Sequence, residues 1–279
     1  MPSRALWAGW LVALSAGAGH AAVLDIFSFN SPDPLGLQAT VDDYRDALGA
    51  VNPNNPANED PGGRRQIDWD AAPDFVSDPN PFPGDFFNGA ASPVARGIEF
   101  IETGATSGFQ LSSTLASGVP VRFGFEDDFV PFSEERMFTP IGGNTFDVFF
   151  FDPADQVTPA GSRGLGLVFN DVETAGATSV DYFDASGALL LSQDVEAGAS
   201  GSLSFLGVIF DGADLARASV TLGNTTFDGE TGTLLDAVVV DDVIFGEPQV
   251  APIPLPASVW GFLAAIGLLL GVRRKSRGQ

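Results

Sequence analysis

From Gly97 to Phe245 the chain is a succession of short runs rich in Phe, Val, Ile and Leu, each cut off by Gly, Asn, Asp or Pro. None shows helical periodicity. Aromatic and β-branched residues suit a pleated, half-buried surface, so each run predicts a strand. The predicted strands are Gly97–Thr103, Gly108–Ser112, Val121–Phe125, Thr145–Phe151, Leu165–Asp171, Ser179–Asp184, Ala188–Asp194, Ser202–Phe210, Ala216–Leu222 and Ala237–Phe245. Asp184-Ala185-Ser186-Gly187 reads as a hairpin turn between two of them. Ten strands in about 150 residues predict an all-β domain over 97–249, a jelly-roll-like β-sandwich with a barrel as the alternative.

Residues 23–96 read differently. Val41–Leu48 predicts one short helix, with Thr40 as its N-cap and Gly49 as its stop. Asn52–Gly63 and Pro73–Gly84 are turn-rich loops around a short strand candidate, Ile67–Asp70. A stretch with so little regular structure predicts an irregular arm packed on the sandwich. No internal repeat is evident, and the pattern predicts one domain.

Residue types narrow the chemistry. The chain has no Cys, so an exported form holds no disulfide and relies on its core. The only His is His20, and between residues 23 and 250 there is no Lys. Without His, Cys or Lys, that body cannot run Ser-His-Asp or Cys-His catalysis, Schiff-base chemistry, or His- or Cys-ligated metal sites. Carboxylate chemistry and oxygen-ligated cations remain. Eight Arg stand against all 36 acids there, a net charge of about −28. Such a surface repels nucleic acid and anionic membranes.

Both ends read as targeting segments. Residues 1–22 combine Arg4, an apolar run from Leu6 to Ala18 and small residues up to Ala22. The run is short for a bilayer span and predicts a signal peptide, removed after Ala22 by signal peptidase once the Sec translocon has exported the chain. Over 250–279, Pro252, Pro254, Leu255, Pro256 and Ala257 precede an apolar stretch, then Arg273, Arg274, Lys275 and Arg277. The prolines mark the start of a helix, which a transmembrane span at about 257–272 continues. The basic cluster holds the tail on the cytoplasmic side.

This three-part ending resembles the PEP-CTERM sorting signal, in its variant with Val-Pro-Leu-Pro-Ala. Here Ile253 stands in the first position, and the Glu of the namesake tripeptide is absent. The resemblance implies an exosortase as partner, cleavage near the motif, and a host that makes exopolysaccharide. The body resembles a group of exported bacterial proteins of unknown function that often carry such a tail. The resemblance runs through Arg64–Asp70, Gly84–Asn88, Ala95–Phe100, Ser204–Val208 and Val240–Pro248. The Asp-Asp-Val-Ile-Phe ending is also similar to the last strand of galactose-binding-like jelly rolls, where an Asp often ligates a structural calcium.

Three places could carry chemistry. Asp241 and Asp242 interrupt an apolar strand. Strict alternation puts Val239, Asp241, Val243 and Phe245 on one face, so at least one Asp has core neighbours. Buried carboxylates need hydrogen bonds, an Arg or a metal, and both a structural and a calcium-ligating role fit. Glu126, Asp127 and Asp128 form a second acidic group, either a solvated loop or a calcium loop. Trp69, between Asp68 and Asp70, either contacts a ligand or packs over the sandwich. The sequence thus predicts a non-enzymatic envelope or extracellular-matrix protein, calcium-stabilised and carbohydrate-binding. A carboxylate-dependent carbohydrate-active enzyme and a ligand-free matrix protein are the rivals.

Overall fold

A computed structural model of the chain describes residues 21–52, 60–89, 94–117, 121–133, 135–226 and 236–250. Almost all of the predicted leader, and all of the sorting segment but residue 250, lie outside them. Two antiparallel sheets face one another, forming an all-β sandwich. The seven-stranded sheet has the order β1 (Val23–Ser31), β11 (Leu203–Phe210), β8 (Gly164–Asn170), β13 (Val239–Gly246), β5 (Phe138–Ile141) and β4 (Gly108–Leu111). In it β2 (Arg64–Ile67) also pairs with β13. The six-stranded sheet has the order β10 (Leu189–Asp194), β9 (Ser179–Phe183), β12 (Arg217–Thr221), β6 (Thr145–Phe151) and β3 (Ile98–Glu102), with β7 (Pro159–Ala160) on β6.

The core between the sheets is built by alternation. Leu165, Leu167 and Phe169 of β8 meet Phe146, Val148 and Phe150 of β6 and Val180 and Tyr182 of β9 there. The seven-stranded sheet is also covered on its outer face by one helix, α1 (Pro34–Leu48). Every residue of β8, β11 and β13 is therefore buried, which explains why these strands read as continuous apolar runs.

The helix is capped about two turns before the predicted Thr40 cap. Asp33 caps it, accepting the Gly36 amide at 2.8 Å, and Pro34 fills the first turn with a φ already helical. Leu37, Val41, Tyr44 and Leu48 then form one buried stripe at spacings of four, three and four. Gly49, at φ +111°, ends it as predicted. The N-terminal part is thus less irregular than predicted, since it supplies a nine-residue strand as well as the helix. A second difference lies at Val121–Phe125, which is a 3-10 turn over Arg122–Gly124. Arg122 and Phe123 sit at φ +46° and +60°, a conformation no strand uses.

Tyr44 shows how the helix is seated. Its ring lies over Gly166 and Gly207, which are paired across β8 and β11. A Cβ at either glycine would come within 2.6 Å of the ring. Phe27 and Phe205 close the slot edge-on at 5.4 and 5.3 Å. The hydroxyl reaches the Val208 carbonyl only at 3.5 Å, so packing carries the contact. Tyr44→Ala should cost about 3–5 kcal/mol in urea unfolding, and Tyr44→Phe under about 1 kcal/mol.

Candidate functional site

The acids that break the apolar pattern of β13 lie at a β-bulge. Val240 is opposite Phe169 and Val243 opposite Leu167, so β13 carries one residue more than β8 between them. The bulge changes the phase of alternation. Val240, Val243 and Phe245 all face the core between the sheets, and Val239 and Ile244 face away from it. The strict alternation predicted from sequence therefore fails at Asp241–Asp242. Both acids are buried beside the segment Phe132–Ser133 and helix α1.

Each carboxylate oxygen of the pair has a partner. For Asp241, Oδ2 accepts the Phe132 amide at 2.7 Å, and Oδ1 accepts the Ser133 amide at 3.3 Å and meets its Oγ at 3.0 Å. For Asp242, Oδ1 lies 2.8 Å from the same Oγ, and Oδ2 accepts from Arg45 Nη2 at 3.1 Å. Arg45 also holds Asp42 at 3.2 Å and lies 6.0 Å from the Phe132 ring centre. The bulge backbone is secured from the opposite side, where Trp69 Nε1 donates to the Asp241 carbonyl.

Ser133 has one hydroxyl proton and two carboxyl neighbours, so it donates to only one of them. The second contact is a hydrogen bond only if that carboxyl carries a proton. Burial, and then the Asp242 charge, push the Asp241 carboxyl well above the carboxylate range. Burial raises Asp242 to about 6, against the pull of Ser133 and Arg45. Arg45 thus favours the ionised form of Asp242, and burial favours the protonated form of Asp241. Calcium fits poorly here, because the oxygens it would take already face N–H and O–H donors and the Arg45 cation is in contact. Among the described residues, no three acids come together as a metal cluster.

The other predicted residues lie apart from this pair. Glu126, Asp127 and Asp128 are exposed beyond the Arg122 turn, where Arg122 Nη1 donates to the Glu126 and Phe129 carbonyls at 2.9 and 3.1 Å. Trp69 is 1% exposed and stacks on Phe138 at 4.8 Å and 6°. Its indole is core, and only its rim lines a hollow of about 290 Å³ with Gln66, Asp68 and Arg96. Among the described residues Asp68 is the one acid of that lining, whereas glycoside hydrolysis uses two.

Sequence reasoning missed Arg45, Ser133 and the buried pair Arg65–Glu247. In that pair Arg65 Nε and Nη2 meet Glu247 Oε2 and Oε1 at 2.9 and 2.8 Å, and Asn52 Nδ2 adds 3.1 Å. A signal existed, because Arg64 and Arg65 stand in a strand-like run of a chain with few cations, and a buried Arg demands an acid.

A second surface has open space. Glu99, Phe149, Arg217 and Phe183 form one cross-strand row on the outer face of the six-stranded sheet, all half-buried. Arg217 lies 3.9 Å from the centre of the Phe183 ring and binds Asp147 at 2.8 Å. Beside the row is a hollow of about 550 Å³ between Phe149, Phe151, the Asp184–Gly187 turn and Asp214.

No protein-family model matches the chain, and no curated protein matches it. Among solved structures it is similar to the enzymatically active domain of tailspike protein 4 of bacteriophage CBA120. The TM-score is 0.23 and the identity 13%, over 60% of this chain and 20% of that one. A likeness at that level carries no conclusion about fold or activity.

The acid pair sets a pH dependence. Both folded pKa values lie above the unfolded ones, so the pair's contribution to stability is full below about pH 4, and the Asp242 part of it is lost as pH rises through about 6. Between about pH 4 and 7 the Asp242 part should lower the urea unfolding free energy by roughly 2–3 kcal/mol. Asp242→Asn should remove much of that fall, while millimolar calcium or EDTA should leave both curves where they are.

Proposed function

We propose that this is an exported, non-catalytic protein of the cell envelope or extracellular matrix that binds neutral polysaccharide on the outer face of its six-stranded sheet. The observation that carries this reading is the row Glu99, Phe149, Arg217 and Phe183 beside the 550 Å³ hollow. A sugar ring presents an apolar face of C–H bonds and a rim of hydroxyls. Half-buried Phe rings match the face, and Asp, Glu and Arg match the rim. A body carrying about −28 repels polyanionic chains, which leaves neutral ones. From β8 to β13 the chain crosses between the sheets at nearly every connection, which supports the jelly-roll reading. Calcium is no part of this proposal at Asp241 and Asp242, whose oxygens are satisfied by protein donors.

Binding is tested by gel mobility in neutral and acidic polysaccharides. Phe149→Ala and Arg217→Ala should each weaken retardation by a neutral polymer at least about tenfold, a loss of about 1.4 kcal/mol. Equal mobility in every polymer would remove the proposal and favour a ligand-free matrix protein. Asp184 and Asp214 line the same hollow, so release of reducing ends that stops with Asp214→Asn would make it an enzyme. Asp184 argues against that, because its Oδ1 already accepts the Ser186 amide and hydroxyl and the Ala188 amide of its own turn.

The delivery route rests on the sequence of the two ends. The leader takes the chain through the Sec translocon, and an exosortase then processes the segment led by Pro252, Pro254, Leu255, Pro256 and Ala257. Before processing, the apolar stretch holds the chain in the membrane, with Arg273, Arg274, Lys275 and Arg277 on the cytoplasmic side. In an exosortase-bearing host, Pro254→Ala with Pro256→Ala should block conversion to the shorter form and leave the precursor in the membrane. Unchanged processing would refute the sorting route.

A further inference from the structure

We infer that the chain self-associates through β1, in an antiparallel pair of β1 strands that joins the seven-stranded sheets of two copies. β1 is the end strand of that sheet, hydrogen-bonded to β11 on one side. Among the described residues no strand pairs with its other side. The strand is nine residues long, and sheet proteins normally blunt such an edge with Lys, Pro, a bulge or a cover. β1 has no Lys and no Pro, and its one irregularity, between Val23 and Asp25, leaves Ile26 to Asn30 regular. The apolar side chains here are unusually open: Leu24 is 60% exposed, Ile26 40% and Phe29 44%. Leu189 of β10, the end strand of the other sheet, is 55% exposed. It stands on the same flank, since residues 195–202 lead from β10 directly into β11.

Charge points to a second copy and to its register. Each body carries about −28, so two copies approach only along a surface poor in acids. Asp25 is the single charge in β1. The Ile26 amide turns from β11 to its neighbour, the Asp25 carboxylate, at 2.9 Å. By alternation the free edges of Ile26, Ser28 and Asn30 face outward. Pairing centred on Ser28 sets Ser28 opposite its own copy and Ile26 opposite Asn30. It forms about four backbone hydrogen bonds, and about six once each Ile26 amide leaves Asp25 for the other copy, and closes with two-fold symmetry. Each Asp25 then faces the other copy's Ser31. The two acids lie about 20 Å apart along the strands, beyond the screening length of about 8–10 Å.

A chain with no Cys allows a direct test on the full-length protein in detergent. Ser28→Cys should form a disulfide-linked dimer at least tenfold faster than Ser186→Cys on the exposed β9–β10 turn, because the central pair falls within disulfide reach. Ile26→Cys, four residues from its own copy, should stay near the Ser186→Cys rate. In sedimentation, Leu24→Lys with Ile26→Lys should abolish a concentration-dependent dimer while leaving the thermal unfolding temperature unchanged. Equal cross-linking at all three positions would overturn the inference. So would a dimer that survives both lysines, which would place association in the apolar tail.

Discussion

The seven-stranded sheet is buried on both faces, and most of the rest follows from that. β13 has core on one side and the helix, the Phe132–Ser133 segment and Phe123 on the other. No polar atom of this strand can turn to water, so each needs a protein partner. The bulge at Asp241–Asp242 is tolerated because Trp69 takes the exposed carbonyl while Ser133, Phe132 and Arg45 take the carboxyl oxygens. Glu247, just past the strand, is buried only because Arg65 from β2 lies across it. Breaking one member of such a pair leaves an uncompensated buried charge, a larger loss than the pair itself contributes.

Arginine is the scarce resource of this chain. Of eight in the body, Arg45, Arg65, Arg136 and Arg217 each neutralise an acid, at 2.6 to 3.1 Å, and Arg64 and Arg122 hold backbone carbonyls. Internal charge balance uses half of these cations, and most of the other described acids are half-buried or exposed. The strongly acidic exterior is therefore a consequence of folding with few cations and needs no ligand to explain it. Arg217 differs from the buried pairs, since it balances Asp147 while staying half-exposed on an aromatic ring at a sheet surface. That combination singles out its face of the molecule.

The sequence pattern was most legible where burial was most complete. β6, β8, β11 and β13 appear within a residue or two of the predicted runs, because burial on one or both faces leaves an apolar signature that local chemistry does not obscure. The failures have distinct causes. β5, four residues including Pro140, is too short to register as a run. Val121–Phe125 has strand-forming residues, but two left-handed ones bend it into a turn that the Arg122 side chain ties down. β1 follows the predicted leader directly in sequence and exposes most of its length, so it lacks the burial contrast that marks a strand. Asp241 and Asp242 were legible as residues that need partners, while their geometry was not. A bulge is invisible to an alternation rule, and Arg45 and Ser133 come from segments 197 and 109 residues away from Asp242.

The centre of the molecule is committed to its own charge balance, the two proposed binding features both lie at the periphery, and they are geometrically compatible. The β1 edge lies in the plane of the seven-stranded sheet. The Phe149–Arg217–Phe183 row lies on the far face of the other sheet. Extending one sheet across a two-fold axis at Ser28 covers neither row. An antiparallel continuation of a sheet sets that axis perpendicular to it, so the six-stranded sheets of both copies face the same side. The proposed sugar platform would then become a coplanar pair, and a long polymer engaging both would gain from effective concentration without any new contact. On this geometry, the proposed strand pairing and the proposed sugar binding would reinforce one another: the dimer would supply the avidity that a shallow, half-buried Phe surface lacks.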